Sequence, residues 1–386
     1  MSVDANYATA HIAYALSDVA FIFPITPSSP MGEHADAWAA QGRKNIFGQT
    51  VEVTEMQSEA GAAGAVHGGA AVGSLVSTYT ASQGLLLMIP NLFKIAGEQL
   101  PVVFHVTARS VAGQALCIFG DHSDVLTCRT TGCAMLSSHS VQEAHDLALI
   151  SHVAALRSSL PFIHFFDGFR TSHEIQKIKV INYDAIKEFA PMEEIQKQHE
   201  RGLNPKNAHL RGTSQGPDVY FQAVEAGNKF YIDTPEIVEK TMAEFAAKFG
   251  REYHLFDYSG AADADRVVVL MGAGAPIMEE AADYLNGKGE KVGVLKVHLY
   301  RPWSIRHFLG AMPKTVKTVT VLERTKEHGA LGEPLYLDVC SSFQEERKAW
   351  PKMPVIVGGR YGLGSKDFTP GMAKAVFDNM KLDEPK

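Results

Sequence analysis

The stretch Thr50–Tyr79, TVEVTEMQSEAGAAGAVHGGAAVGSLVSTY, decides the fold class of this chain. It begins with a short β-rich run at Thr50–Thr54 and ends with a second run at Ser74–Tyr79, and a helix is predicted between them from about Met56. Two strands joined through a helix are typical of parallel pairing, because parallel neighbours need a long crossover connection. The stretch therefore predicts an α/β protein with a parallel sheet.

The same alternation extends on both sides of this stretch. Each predicted strand is apolar on both faces, which indicates a sheet covered by helices on both sides. Further strands are predicted at Val19–Phe23, Pro101–Thr107 and Pro161–Phe166, and further helices at 31–41, with Ser29 as the N-cap, and at 83–96, closed by Gly97.

A second alternating unit begins near Arg266, after a charged segment from about Lys177 to Tyr253 that predicts peripheral helices and a crossing connection. We therefore expect two doubly wound, mostly parallel-sheet domains, at 1–253 and 254–386. In the second domain, strands are predicted at 266–271, 291–297, 316–322 and 354–357, helices at 277–286 and 304–311, and a loop at 300–303.

Composition and charge exclude several classes of protein. The 386 residues are 46% hydrophobic and 20% charged, as in an ordinary globular protein. The net charge of −7 provides no basic surface, so we expect no nucleic-acid partner. The longest apolar run, Leu85–Pro90, is far shorter than the roughly 20 residues that span a membrane, so we expect no membrane span.

The N-terminus and the cysteines predict a cytoplasmic protein. The first residues, MSVDANYATAHIAY, lack the basic stretch of a signal peptide. The four cysteines fit no C-x-x-C pair and no zinc spacing, which suits a reducing compartment. Cys128 and Cys133 could form a disulfide, but buried free thiols are the expectation.

Four polar residues, Thr26, Glu59, Arg109 and Arg170, follow predicted strands of the first unit. The carboxyl ends of parallel strands share one edge of a sheet, where the ligands of such sheets bind, so we expect all four at that edge. A glutamate, a threonine and an arginine that converge there suit a small anionic substrate and a proton relay. The planar arginine fork can donate two parallel hydrogen bonds to a carboxylate.

Each of these residues also has a purely structural interpretation. Arg109 could pair with a neighbouring acid, Thr26 could belong only to a turn between prolines, and Glu59 could be favoured by the positive end of a helix. Glu59 heads a segment of mostly Ala and Gly residues, whose small side chains allow close approach of a backbone or a planar ligand. His67, on the same segment, is predicted to be a hydrogen-bonded packing residue.

Two glycine-containing segments match functional motifs only in part. Gly120–Asp124, GDHSD, has residue types found in metal sites, but a polar loop is the preferred interpretation. Gly272–Gly274 follows a predicted strand, yet position 277 is Ile, so the third glycine of a dinucleotide fingerprint is missing. We interpret this segment as a tight turn and predict no metal site.

Several longer segments, spread along the chain, together carry a resemblance to a known family. They are FPITPSS (Phe23–Ser29), EMQSEAGAAGAVHG (Glu55–Gly68), YTASQGLLLMIPN (Tyr79–Asn91), KIAGEQLP (Lys94–Pro101), FGDHSDV (Phe119–Val125), FFDGFRTSHEIQK (Phe165–Lys177), LYRPW (Leu299–Trp303) and GEPLY (Gly332–Tyr336). From about residue 5 to about residue 365, the chain resembles pyruvate:ferredoxin (flavodoxin) oxidoreductase.

The resemblance implies a specific chemistry. The family uses thiamine diphosphate to decarboxylate pyruvate, transfers electrons through iron–sulfur clusters to ferredoxin or flavodoxin, and forms acetyl-CoA from CoA. Its first domain is a pyrimidine-binding domain of the thiamine-diphosphate enzymes, and the next resembles the C-terminal domain of transketolase. On this basis Glu59 contacts the cofactor's pyrimidine, Thr26 and Arg109 bind the substrate carboxylate, and Pro24 forms the turn beside the cofactor.

The chain also lacks parts that the family has. It contains no Gly-Asp-Gly…Asn signature for magnesium and the diphosphate, and no run of cysteines for a [4Fe–4S] cluster, which needs about four thiolates. The resemblance therefore implies a complementary subunit or segment that carries both, and a homodimer or larger assembly.

Three hypotheses follow. The chain is a subunit or piece of a 2-oxoacid oxidoreductase, catalytic only with its partner, in the cytoplasm or in a mitochondrion-related organelle. Alternatively, it is a non-catalytic paralogue that serves as a structural or assembly subunit, or a two-domain nucleotide-binding protein. The presence of Thr26, Glu59 and Arg109 together favours the first hypothesis, and the incomplete glycine loop disfavours the third.

Overall fold

A computed structural model describes residues 1–350 and 352–386. The strands are β1 (Ser2–Val3), β2 (Val19–Ile22), β3 (Glu52–Glu55), β4 (Val76–Thr80), β5 (Val103–Ala108), β6 (Ala134–Ser137), β7 (Phe162–Asp167), β8 (Gln176–Lys177), β9 (Phe256–Gly260), β10 (Arg266–Leu270), β11 (Val292–Val297), β12 (Leu299–Arg301), β13 (Thr318–Glu323) and β14 (Val355–Arg360). The α-helices are α1 (Ala5–Ala15), α2 (Ser29–Ala40), α3 (Glu59–Ala71), α4 (Ser82–Gly97), α5 (Ser123–Thr127), α6 (Val141–Ser158), α7 (Tyr183–Phe189), α8 (Met192–Glu200), α9 (Pro217–Ala226), α10 (Asn228–Phe249), α11 (Ala275–Asn286), α12 (Ile305–Ala311), α13 (Pro334–Glu345) and α14 (Pro370–Asn379).

The first sheet has seven strands in the order β12-β6-β7-β5-β4-β2-β3. Strands β2 to β7 pair in parallel, and β12 adds an antiparallel edge strand on β6. The carboxyl ends of the parallel strands therefore lie along one edge, as the sequence predicts.

Small residues let α3 pack close to this sheet. A Cβ atom at Gly69 would lie 3.1 Å from Val76 and 3.2 Å from the ring of Phe21. Ser58 caps the helix, since its hydroxyl accepts a hydrogen bond from the Gly61 amide at 3.1 Å. The Ala- and Gly-rich sequence thus brings the first residue of α3, Glu59, to the carboxyl edge of the sheet.

The second sheet has five strands in the order β14-β13-β10-β11-β9, all parallel except β9. Successive residues of β10 face opposite layers, since Val268 and Leu270 pack in the core cluster that contains α11 and α14, whereas Val267 and Val269 pack in the cluster that contains α13. Two mostly parallel sheets with helices on both faces confirm the predicted α/β class.

Three local predictions are wrong. The N-cap position of α2 is Ser28 and not Ser29, and its hydroxyl donates to the Ile25 carbonyl instead of capping the helix. The predicted loop at 300–303 begins within β12, because the edge of β6 offers backbone groups with which β12 pairs. The segment of β6 and α6 has no counterpart among the predicted elements.

Helix α6 escaped prediction because it is buried on nearly all sides. Its polar residues His145, Asp146 and His152 interrupt the apolar pattern, yet all three are buried. A start signal was present, since Ser140 and Glu143 have the spacing of a capping box and the Ser140 hydroxyl accepts from the Glu143 amide at 3.2 Å.

Other predictions are confirmed. All four cysteines are free, and Cys128 and Cys133 are buried. The segment from Lys177 to Tyr253 is mainly helical, from α7 to α10. Among the described residues, no helix has both the length and the hydropathy that crossing a bilayer requires.

Candidate functional site

Two of the predicted site residues meet at the carboxyl edge of the first sheet. Arg109 directly follows β5, and its Nη1 donates a hydrogen bond to the main-chain carbonyl of Thr26 at 2.8 Å. Thr26 lies in the exposed turn after β2, next to a cis peptide bond with Pro27. Pro24, in the same turn, is also exposed. The contact fixes the turn relative to the guanidinium.

The guanidinium of Arg109 is buried without a counter-charge. Only 6% of the residue is exposed, and its Nε has no hydrogen-bond partner. Among residues 1–350 and 352–386, no carboxylate forms an ion pair with it, so the interpretation of Arg109 as one half of an ion pair is not supported. A buried cation of this kind attracts an anion.

Asp124 organises the backbone around Arg109. One carboxylate oxygen accepts the amides of Arg109 at 3.0 Å and Ser82 at 2.7 Å. Burial raises the pKa of the Asp124 carboxyl to about 7. Ser82, at the start of α4, has a positive φ of 53°, a conformation that non-glycine residues rarely adopt and that often marks a functional site.

Glu59 lies against the same end of α4. Only 7% of Glu59 is exposed, and within the described part of the chain its carboxylate has no ion pair and no hydrogen bond. A Cβ atom at Gly84 would lie 2.8 Å from both Cγ and Oε1 of Glu59, and 2.8 Å from Oγ1 of Thr80. Only glycine therefore fits at position 84 while Glu59 keeps its place.

The sequence analysis missed Gly84, Ser82 and Asp124 as supporting residues. An isolated glycine inside the predicted helix 83–96 was a usable signal, since a glycine that costs helix stability often has a packing reason. The role of Asp124 had no such signal, because it depends on two backbone amides that are distant in the sequence.

Arg170 does not join this group, so the prediction that four residues converge is wrong for it. Its guanidinium donates to the Ser365 carbonyl at 3.1 Å and pairs with Asp367. Arg170 therefore binds the second half of the chain, because the edge where β7 ends faces that half.

The other sequence motifs have structural roles. His67 lies 3.0 Å from the Glu98 carboxylate, as a hydrogen-bonded packing residue. In the loop Gly120–Asp124, the carboxylate of Asp121 accepts the hydroxyl of Ser123 at 2.6 Å, which agrees with a polar loop.

The turn Gly272–Gly274 brings the two halves of the chain together. The Ala273 amide donates to the Asp167 carboxylate at 2.6 Å, and a Cβ at Gly272 would lie 2.7 Å from the same carboxylate. Asp167 also pairs with Arg324 and lies 2.5 Å from His122. The segment is a tight turn, as predicted, and its glycine allows the backbone to approach Asp167.

One cluster in the described residues has the composition of a metal site. Ligand atoms of His139, Glu143 and His298 lie within 4.8 Å of one another. The Lys296 ammonium is 3.7 Å from the Glu143 carboxylate, so a positive charge already lies beside the cluster. The cluster lies beyond the end of β6, whereas Thr26 and Glu59 follow β2 and β3 at the other side of the sheet.

Comparison with protein families identifies the chain. Residues 11–243 match a family described as "Pyruvate flavodoxin/ferredoxin oxidoreductase, thiamine diP-bdg". The chain belongs to the pyruvate:ferredoxin/flavodoxin oxidoreductase family. Residues 264–370 match "Pyruvate:ferredoxin oxidoreductase core domain II", which extends the family match into the second half. The resemblance inferred from the motifs is confirmed.

Curated relatives differ in how much of their length the chain spans. It is 59% identical over 385 residues to pyruvate:ferredoxin oxidoreductase of Moorella thermoacetica, and covers 32% of that protein. It is 57% identical over 387 residues to mitochondrial pyruvate dehydrogenase [NADP(+)] of Euglena gracilis, and covers 21% of it. A pyruvate-flavodoxin oxidoreductase of Nostoc sp. (strain ATCC 29151 / PCC 7119) is 55% identical over 384 residues and is covered to 94%.

Solved structures show the same fold. A 2-oxoglutarate:ferredoxin oxidoreductase from Magnetococcus marinus aligns with 99% of the chain, at a TM-score of 0.67 and 18% identity, over 65% of its own length. A split-gene transketolase, an inactive β4 tetramer, aligns with 98% of both chains at a TM-score of 0.55 and 12% identity. These likenesses confirm the predicted architecture, a thiamine-diphosphate-enzyme pyrimidine domain followed by a transketolase C-terminal-like domain.

Proposed function

We propose that this chain is the N-terminal part, or a subunit, of a thiamine-diphosphate-dependent pyruvate:ferredoxin or flavodoxin oxidoreductase. We further propose that it provides the pyrimidine end of the active site, within residues 1–253, with a transketolase-like domain at 254–386. The observation that supports this most strongly is the buried, unpaired Glu59 carboxylate against Gly84, at the same sheet edge as the unpaired Arg109. Membership of the family supports the choice of cofactor.

The residues present fit the pyrimidine end of thiamine diphosphate. When bound, that cofactor supplies the carbon nucleophile that adds to a 2-oxoacid carbonyl and allows the carboxylate to leave as carbon dioxide. Glu59 holds a proton that it shares with ring nitrogen N1′, and its low exposure strengthens that hold. Gly84 fixes the position of the carboxylate, because the helix backbone lies directly behind it.

Arg109 and Thr26 bind the carboxylate of pyruvate. The bond from Nη1 to the Thr26 carbonyl fixes the guanidinium plane and leaves Nε without a partner. An arginine held in this way offers its remaining N–H groups to a carboxylate as a fork. The Thr26 hydroxyl donates a second contact, and Pro24 shapes the turn beside the cofactor.

The remaining parts of the reaction need a complementary subunit or segment. Magnesium, the diphosphate site and the [4Fe–4S] clusters belong to that part, which transfers electrons to ferredoxin or flavodoxin and completes a cytoplasmic assembly that uses CoA. The chain spans about a third of the length of the Moorella relative, which leaves room for such a part.

The test is Glu59→Gln in the chain assembled with its complementary part, measured as pyruvate-dependent reduction of a viologen dye. Glutamine keeps the shape but cannot hold the proton, so we expect turnover to fall about 10²- to 10⁴-fold. Glu52→Gln, an exposed carboxylate on β3, is the matched control and should keep wild-type turnover. Equal turnover of Glu59→Gln and wild type would instead favour a non-catalytic assembly subunit.

A further inference from the structure

A crevice lies where the carboxyl edges of the two sheets meet. The chain passes from β11, on one side of β10, to β13, on the other side, so the second sheet has its topological switch point between β10 and β13. Ala273 and Arg324, which follow these two strands, line a cavity of ≈ 290 Å³. We name this cavity the switch-point crevice. Doubly wound sheets bind ligands at this position.

Three buried polar side chains in the crevice have atoms without a partner. They are Oγ1 of Thr171, Nε2 of His139 and Nε of Arg324, and each residue is at most 2% exposed. A buried polar atom without a hydrogen bond costs about 1–3 kcal/mol, so unpartnered groups are rare in native proteins. Three such groups around one cavity indicate that a polar ligand satisfies them.

The charges around the crevice favour an anion. Arg170 and Arg324 are paired with Asp367 and Asp167, respectively. Lys366 also lines the crevice, and no carboxylate in the described part of the chain pairs with it. Glu174 is the further acid in the lining, and burial raises the pKa of its carboxyl, which weakens its negative charge.

Two helices direct their N-termini at the same cavity. Gly274, at the N-cap position of α11, and Thr369, at the N-cap position of α14, both line it, and the helices are 12 and 10 residues long. Free amides and the helix dipole make an N-terminus favourable for phosphate. The opposite wall contains Ile277 and Phe368, which suit an uncharged organic group.

We propose that the switch-point crevice binds a small organic phosphate, with the phosphate at Lys366, Thr171 and the helix N-termini and the organic group against Ile277 and Phe368. The site is separate from the proposed pyrimidine end, because neither Glu59 nor Arg109 lines it. Its volume is near the lower end of the roughly 300–1,000 Å³ of ligand pockets, so the ligand is small.

The test measures binding of AMP to the full chain by calorimetry, with adenosine as the matched probe that lacks the phosphate. We expect AMP to bind and inorganic phosphate to displace it, and adenosine to bind at least about tenfold more weakly. Absence of AMP binding, or equal affinity for adenosine, would overturn the proposal.

Two variants locate the site. Lys366→Ala should weaken AMP binding roughly tenfold to hundredfold, because a charge-assisted hydrogen bond is lost. Thr171→Val removes an unpartnered hydroxyl with little change of shape, so the fold should persist while AMP binding weakens roughly threefold to tenfold. Lys187→Ala, an exposed lysine on α7, is the control and should leave the Kd unchanged. Wild-type affinity in both crevice variants would contradict the proposal.

Discussion

Arg109 and Arg324 occupy equivalent positions in the two sheets and have opposite surroundings. Each directly follows a central strand, β5 or β13, and each is almost completely buried. Arg324 pairs with Asp167 and donates to the carbonyls of Gly120 and Gly362 at 3.0 and 2.9 Å. The side chain of Arg109 has one hydrogen bond, to a carbonyl, and no counter-charge in the described residues.

The difference separates a structural arginine from one available to a ligand. Burial alone would raise the pKa of the Asp167 carboxyl, but Arg324 and His122 outweigh it and hold that pKa well below its usual range. The pair is therefore charged and saturated at neutral pH, and it joins the two halves of the chain. At Arg109 the positive charge remains uncompensated, which suits a substrate carboxylate.

The largest expected effect tests the saturated arginine. Asp167→Asn leaves Arg324 buried without its counter-charge, so the free energy of unfolding should fall by about 3–5 kcal/mol. Urea unfolding of the full chain provides the measurement.

Asp367→Asn is the matched control, because it removes the acid of the largely exposed pair with Arg170 and should cost about 0–1 kcal/mol. Equal losses in the two variants would show that the buried pair does not differ from a surface pair.

The next effect concerns the packing behind Glu59. Gly84→Ala places a methyl group 2.8 Å from the Glu59 side chain and from Thr80, so overpacking should lower the free energy of unfolding by about 1–3 kcal/mol. In the same helix, Gly97→Ala meets no atom within 4 Å and should be neutral or stabilise by up to about 1 kcal/mol. Thermal unfolding of both variants distinguishes them, and a stabilising Gly84→Ala would exclude a tight contact there.

A pH dependence should arise from Asp124. Its pKa is about 7 in the folded chain and 3.8 in the reference state, so the folded chain holds the proton more tightly. The free energy of unfolding should therefore fall as pH rises from about 4 to about 7, by at most about 1.4 kcal/mol per pH unit for this group.

Asp124→Asn should remove this part of the slope in urea unfolding at several pH values. Glu323 will keep part of it, because burial also raises the pKa of its carboxyl to about 7. An unchanged slope in Asp124→Asn would exclude Asp124 as a titrating group in this range.

The smallest expected effect on stability is at Arg109. Arg109→Met loses one hydrogen bond but also removes an uncompensated buried charge, so the free energy of unfolding should change by no more than about 1 kcal/mol. In the assembled enzyme, the KM for pyruvate should rise at least about tenfold, and Arg109→Lys should raise it less, because one point charge replaces the fork. A loss of stability as large as that of Asp167→Asn would make Arg109 structural.

The sequence predicted most of both sheets because most strands are apolar runs bounded by glycine, proline or polar residues. Helix α6 shows where this fails, since its buried Asp146 is neutralised by Arg251, which follows far along the chain and pairs with it at 2.5 Å. Strand β12 failed for a similar reason, because its pairing partner β6 lies in the other half of the chain.

By itself, the sequence determined the order of strands and helices, and with it the placement of Thr26, Glu59 and Arg109 at one edge of the first sheet. Only the tertiary structure decided which arginine is neutralised and which remains free. The physical reason is that charge compensation acts through space, since Asp167 and Arg324 are 157 residues apart in the chain yet share a hydrogen bond.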